Sequence, residues 1–211
     1  MGYGIGTMTM DLSLARIAAL LRERPSSASP SSTVDGRAAV ALVLRFEADA
    51  PSVLLMTRAE RAGDRWSGQV SFPGGREEEG DEDLLTTAMR ETREEVGLDL
   101  ESGARLLGRL GTIQARARGR LLPLTIDPFV FLQTQDGPLT LGEEAVETFW
   151  FPLTNAAAGE YSSTFELAAG ECKRTLPCWR FESRIIWGLT YEMLHGFLAL
   201  AGGTNGSEDH A

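Results

Sequence analysis

The stretch that decides how this chain folds runs Gly74-Gly75-Arg76, through the acidic segment Glu77 to Asp83, to Arg90-Glu91-Thr92-Arg93-Glu94-Glu95-Val96-Gly97-Leu98. The spacing predicts a helix over Leu84 to Val96. Residues three and four apart share a helical face, so Glu91, Glu94 and Glu95 are expected to project together from one side. Three carboxylates placed there repel one another, and the cluster costs stability unless a cation neutralises it. Hard oxygen donors with no Cys or His beside them suit Mg²⁺ or Mn²⁺. The same helix carries Leu85, Ala88, Met89, Thr92 and Val96 at spacings of three and four, the expected core-facing stripe. Glycines ahead of it let the backbone turn tightly and approach a ligand with no side chain in the way.

Clustered Glu on a helix is more often a solvated face with partners at i+4. Solubility, however, does not require a glycine pair after a strand, Arg-Glu at this distance and a closing Gly97-Leu98. A calcium loop over Glu77 to Asp83 is the weaker metal reading, because it lacks alternating Asp/Asn ligands and a glycine at the sixth position.

Working outward, Ala38 to Phe46 and Val53 to Thr57 are rich in Val and Leu with a turn at Glu47 to Pro51, which predicts paired strands. A short strand Gln69 to Phe72 leads into Pro73-Gly74-Gly75. Further strands are expected at Leu106 to Ile113, Leu124 to Leu132 and Thr148 to Phe151, and a last helix from Ile185 to Leu200. Near the N-terminus, Asp11 is the expected N-cap of a helix running to about Arg24. Pro25 to Thr33 reads as a flexible linker. These signals give residues 1–34 as helix and linker, 35–201 as one catalytic domain of α/β class, and 202–211 as a disordered tail.

At 211 residues the chain can bury a substantial core. Its formal net charge of -10 argues against non-specific nucleic-acid binding. An anionic small-molecule substrate therefore has to be drawn in by metal and by local arginines. Neither a membrane span nor a secretory signal is visible, which makes a cytoplasmic location the expectation. Cys172 and Cys178 are expected as free thiols. His195 reads as a packing or surface residue, and Trp66, Trp150, Trp179 and Trp187 mostly as core, with Trp66 open to a substrate contact. The charged run Ala115-Arg116-Ala117-Arg118-Gly119-Arg120 lies between two expected strands. It is either a solvated hairpin turn or a source of guanidinium forks for phosphate.

Gly-Gly, an acidic loop and Arg-Glu-x-x-Glu-Glu-x-Gly-Leu together resemble the Nudix box, the loop-helix motif of hydrolases that cleave a diphosphate linked to another moiety. Gly75 is followed by five residues to Asp81 and eight more before Arg90, one residue longer than the general pattern, so the box acid is either Asp81 or Glu82. The resemblance implies an α/β/α sandwich with a mixed β-sheet, and Mg²⁺ or Mn²⁺ as cofactor. It implies Glu91, Glu94, Glu95 and the Gly75 carbonyl as metal ligands, and catalytic roles for Arg90, Glu91 and Glu94, with Arg90 orienting a box glutamate.

Upstream, Leu54-Leu55-Met56-Thr57-Arg58-Ala59 and Gly68-Gln69-Val70-Ser71-Phe72-Pro73-Gly74-Gly75 resemble the signature of the coenzyme A diphosphatases, which tend to share the longer box. Glu147 to Leu153 and Arg184 to Thr190 resemble later segments of the same enzymes. Met56 stands where that signature has Thr, and its second arginine falls at Gly63, with Arg61 or Arg65 as substitutes. Arg58, Arg65 and Gly74 are the candidate substrate contacts, and if the Arg116 and Arg118 run is not a solvated turn it is the candidate source of the positive charge that a coenzyme A 3′-phosphate calls for. The implied reaction splits coenzyme A or its acyl derivative into 3′,5′-ADP and (acyl) 4′-phosphopantetheine. The rivals are a Nudix hydrolase for another substrate (ADP-ribose, a dinucleotide or a nucleoside triphosphate) and a non-catalytic nucleotide-sensing module. A homodimer is compatible with all of these.

Overall fold

The apolar run of β1 (Gly36–Glu47) alternates between two buried faces, and the whole fold is layered on it. Ala39, Ala41 and Val43 face one core with Leu54, Met56, Ala88 and Val96. Ala38, Leu42 and Leu44 face the other with Val53, Leu55 and Phe197. The structure is a computed structural model and describes residues 10–22, 35–63, 66–117, 120–169 and 172–202.

β1 turns into β2 (Ala50–Arg58) through Ala48 and Asp49, both at positive φ (47° and 66°), the two-residue turn that matches strand twist. β3 (Val70–Ser71) pairs with β2 and β4 (Gly74–Arg76) with β1. Helix α2 (Leu84–Val96) and the short α3 (Leu100–Gly103) follow. Then come β5 (Ala104–Arg109), β6 (Ile113–Ala117) and β7 (Arg120–Gln133). β7 lies parallel to β1, with Ala38 opposite Ile126, whereas β5 and β6 run antiparallel to β7. β8 (Ala145–Pro152) adds to β2 and completes an eight-stranded mixed sheet.

After α4 (Leu153–Ala157), a second sheet of three strands forms from β9 (Ser162–Ala169), β10 (Cys172–Phe181) and β11 (Arg184–Trp187). It leads into α5 (Gly188–Ala201). Helix α2 covers one face of the large sheet; α5, α1 (Leu14–Arg22) and aromatic residues of the small sheet cover the other. The result is the expected α/β/α arrangement.

Several boundaries differ from the sequence expectation. Ile185 to Trp187 is strand, not helix: its residues pair with Cys178 to Arg180, Ile186 is fully buried, and Gly188 at φ 61° makes the corner into α5. The strand expected from Leu106 to Ile113 breaks after Arg109, following a register shift beside Gly108 at φ 154°. Gly74 and Gly75 are themselves strand, hydrogen-bonded to β1. Asp11 accepts from Ser13 N–H, and Ser13 receives the Arg16 N–H of α1, so Ser13 is the helix cap. The end of that expected helix and the Pro25 to Thr33 linker lie outside the described residues, as does the tail beyond Gly202. Cys178 is a buried free thiol. Among the described residues no helix is long and apolar enough to cross a membrane.

Candidate active site

Both ends of helix α2 are fixed by local chemistry. Asp83 caps its start, accepting the Thr86 N–H at 2.8 Å. Gly97, at φ 70°, caps its end in the left-handed conformation that suits glycine. The loop after β7 then docks on that end: Thr140 N–H donates to the Val96 carbonyl at 3.0 Å and Gly142 N–H to that of Glu95 at 2.9 Å. A Cβ at Gly142 would stand 2.1 Å from the Glu94 carbonyl oxygen, so only glycine lets the loop come so close.

The three helix glutamates do not share one environment. Glu95 lies on the buried stripe with Leu84, Ala88 and Thr92, and is 2% exposed; the side chain of Glu94 is 56% exposed. Glu91 falls between them, its carboxylate above Gly75, where any Cβ would come within 2.4 Å of Oε1. Leu85 and Met89, expected in the core stripe, are only partly buried, and Thr87 takes a core place instead. The expectation of a common face is corrected by the helix rotation: positions 84, 88, 92 and 95 point at the sheet, so position 95 goes in while position 94 goes out.

Glu95 has one firm partner, the Gly74 N–H, which donates to Oε2 at 2.8 Å. Its other oxygen, Oε1, is buried without a hydrogen bond and lies 3.5 Å from Arg58 Nη1. Burial pushes the Glu95 carboxyl up to about 8 against the pull of the Gly74 amide and Arg58, and the charges of Glu91 and Glu144 push the same way as burial. Glu91 is raised too, again chiefly by desolvation, with Arg90 opposing and Glu94 and Glu144 adding repulsion. A Cβ at Gly74 would meet the Ala39 carbonyl at 2.3 Å, so the strand carrying the amide can approach only as glycine.

Arg90 shows the opposite balance. Its Nε and Nη2 donate to the two oxygens of Asp81 at 2.9 and 3.0 Å, Nη1 to Glu91 at 3.0 Å and Glu94 at 3.3 Å, and Nη2 also to the Arg76 carbonyl at 3.1 Å. Asp81 accepts further from Thr87 Oγ1 and Glu78 N–H, and its side chain is 3% exposed. The Arg90 guanidinium holds the Asp81 carboxyl well below the usual carboxylate range, and Asp81 in turn raises Arg90. Asp81, and not the exposed Glu82, is therefore the acid that pairs with the box arginine.

A cavity of about 550 Å³ opens beside these groups; Arg58, Gly75, Glu91 and Glu144 line it, as do Trp66, Trp187 and Met193. Glu144 had no signal in the sequence reading. It is carried by the docked loop, paired with Arg61 at 2.8 Å and with Arg58 at 3.6 Å. Its neighbourhood to the box comes only from the folding of that loop onto α2. Arg116 lines the cavity, whereas Arg65 and Arg118 lie outside the described residues. Trp66 and Trp187 border the cavity; Trp179 is core and Trp150 lies under the Arg45 guanidinium. His195 is an exposed residue stacked on Tyr191.

Among the described residues no three His, Cys, Asp or Glu side chains already stand as a metal cage. The donor set nonetheless fits a hard divalent cation. Glu95 Oε1 is a buried carboxylate oxygen lacking a hydrogen bond, Glu91 and Glu144 repel it from nearby, and every donor is oxygen.

A family model described as NUDIX domain matches residues 35–168. The chain belongs to the Nudix domain family. The mouse mitochondrial coenzyme A diphosphatase NUDT8 is 31% identical over 184 residues, covering 84% of this chain and 79% of that protein. An uncharacterized Nudix hydrolase, NudL, from Yersinia pestis is 32% identical over 161 residues, covering 75% of this chain and 76% of its own. The crystal structure of a NUDIX hydrolase from Alicyclobacillus acidocaldarius aligns with 22% identity and a TM-score of 0.48 over 82% of this chain and 95% of that one. As a Nudix hydrolase the chain is a diphosphatase, and its Nudix box spans Gly75 to Leu98 with Asp81 in the acidic position of the loop.

Proposed function

We propose that this Nudix enzyme hydrolyses the diphosphate of coenzyme A or an acyl-coenzyme A, giving 3′,5′-ADP and (acyl) 4′-phosphopantetheine. The observation that carries the substrate is the similarity to NUDT8 across most of both chains. The local pattern Leu54 to Ala59 followed by Gly68 to Gly75, which brings Arg58 and the glycine pair to the carboxylates, supports it.

Glu91 and Glu95 would hold a Mg²⁺ or Mn²⁺ ion, together with the Gly75 carbonyl and with Glu94 or Glu144. When bound, such an ion neutralises the diphosphate oxygens and lowers the pKa of water. The chain's own residues prepare that site. The Gly74 amide fixes one oxygen of Glu95 and leaves the other free, and Arg90, locked by Asp81, fixes Glu91. Gly75, lacking a Cβ, lets the Glu91 carboxylate lie directly against the strand backbone. Arg58, between Glu95 and Glu144 on the cavity wall, offers positive charge to the diphosphate. Water attacks one phosphorus, the bridging P–O bond breaks, and each half leaves as a phosphate monoester.

Incubation of the purified protein and Mg²⁺ with coenzyme A, acetyl-coenzyme A, ADP-ribose, diadenosine tetraphosphate and nucleoside triphosphates, with chromatography of the products, tests the assignment. Release of 3′,5′-ADP from the coenzyme A substrates at the highest kcat/KM is the expected outcome. Preference for any other member by tenfold or more would overturn it.

A further inference from the structure

The cavity that Glu91 lines is walled also by apolar side chains, among them Leu124, Ile126 and Leu189, and by Trp187. Two arginines stand in this wall, Arg76 on β4 and Arg116 on β6. Arg76 is a residue to which the sequence pattern gives no task. The ladders set both at the same end of the sheet. Arg76 lies opposite Ala38, Ala38 opposite Ile126, and Ile126 opposite Ile113 at the start of β6. From that row the two arginines lead in one direction. Arg76 Nη1 reaches to 3.2 Å from the point where a Cβ on Gly36 would stand, a point 3.5 Å from Leu124. Arg116, opposite Leu121, lies past Ile113 on the same side.

Gly36, lacking a side chain, leaves the space in which the Arg76 guanidinium lies. Both arginines are exposed, and neither forms an ion pair with a described residue, whereas neighbouring Arg37 is tied to Glu77 and Arg58 to Glu95 and Glu144. In a chain of net charge -10, two unneutralised guanidinium groups on one apolar cavity are a local reversal of the overall field. Their planar forks match phosphate oxygens.

We infer that Arg76 and Arg116 form a second anion subsite in the wall of this cavity, which takes a phosphate monoester on the nucleoside half of the substrate. On the coenzyme A substrate proposed above, on which the assignment rests, that group is the 3′-phosphate. Trp187 then offers a flat apolar surface to the adjoining base. The hydrolysed diphosphate stays at Glu91 and Glu95, and the monoester selects the substrate without taking part in bond breaking.

The test compares kcat/KM for coenzyme A with that for 3′-dephospho-coenzyme A in the wild type, Arg76→Ala, Arg116→Ala, the double variant and Arg76→Lys. The wild type should prefer coenzyme A by tenfold or more. Each alanine should cut that ratio several-fold through KM, the double variant should bring it near one, and lysine should restore part of it, as expected for a lost charge-assisted bond. Coenzyme A hydrolysis with a ratio that no variant changes overturns the subsite and leaves the reaction standing. If the wild type hydrolyses no coenzyme A substrate, the proposed reaction fails. The subsite is then decided by calorimetry with adenosine 3′,5′-bisphosphate against AMP: tighter bisphosphate binding that Arg76→Ala and Arg116→Ala abolish supports it, and equal affinities overturn it.

Discussion

Two buried carboxylates, Asp81 in the loop before α2 and Glu95 in the last turn of that helix, are built on opposite principles. At Asp81 every oxygen is satisfied: Arg90 donates twice, Thr87 and Glu78 once each, and the carboxyl is held firmly ionised. At Glu95 a carboxyl that is just as buried has one amide, an arginine at 3.5 Å and an oxygen with no hydrogen bond, and its pKa rises to about 8. The first is a structural clamp. The second is an incomplete shell, stable as an anion only when more positive charge arrives. Burial alone does not distinguish structure from function here; the number of partners does.

The sharpest way to break the contrast is Glu95→Gln, which removes the charge and keeps the shape. We expect kcat to fall by on the order of a thousandfold, the loss of several kcal/mol of transition-state stabilisation, with an unchanged circular dichroism spectrum. Near-normal turnover would move the site elsewhere.

Asp81→Asn attacks the other side. Breaking a buried ion pair should cost about 3 kcal/mol of stability in urea denaturation at pH 7. Its pH dependence carries a sign. Asp81 has a folded-state pKa depressed below its ordinary 3.8, so its contribution is present above that pH and is lost as the pH falls toward the folded value. The gap between wild type and variant should therefore shrink below pH 3.8; a gap that widens in acid contradicts the clamp.

Next in size, saturating Mg²⁺ should stabilise the wild type, by about 2.7 kcal/mol at a hundredfold excess over Kd. Glu95→Gln should lose most of that gain and Asp81→Asn should keep it, measured as a shift in Tm. The smallest effect is expected at Glu94. Its exposure leaves room for water to replace the carboxylate, so Glu94→Gln should lower kcat/KM by roughly tenfold. A loss equal to that of Glu95→Gln would show that exposure is a poor guide to its role.

Much of this was legible in the chain. Helix α2 carries its own start and stop signals in Asp83 and Gly97, and its observed span is the expected Leu84 to Val96. The Val- and Leu-rich runs that become β1 and β2 were equally plain. What escaped was whatever depends on partners remote in sequence. Helical spacing gives relative angles but no zero, so it grouped Glu91, Glu94 and Glu95 without saying which of them the sheet would cover. The choice between Asp81 and Glu82 was open until Arg90 and Thr87 chose Asp81. Glu144 lies forty-nine positions after Glu95, and no local pattern joins them. The hairpin of β9 and β10 escaped because its residues alternate weakly and its stability comes from aromatic packing such as Phe165 on Trp187 and Trp179 on Tyr191.

The stitching of the Thr140 to Gly142 segment onto the end of α2 sets a rule for tolerance to change. Because the amides of Thr140 and Gly142 grip the very turn that bears Glu95, the stretch from there to Glu144 behaves as a ruler of fixed length. Extra residues spliced in ahead of Thr140, around the exposed Asp136 and Gly137, should pass unnoticed by the chemistry. A single residue added between Gly142 and Glu144 would shift the acid and its arginines out of step with the helix.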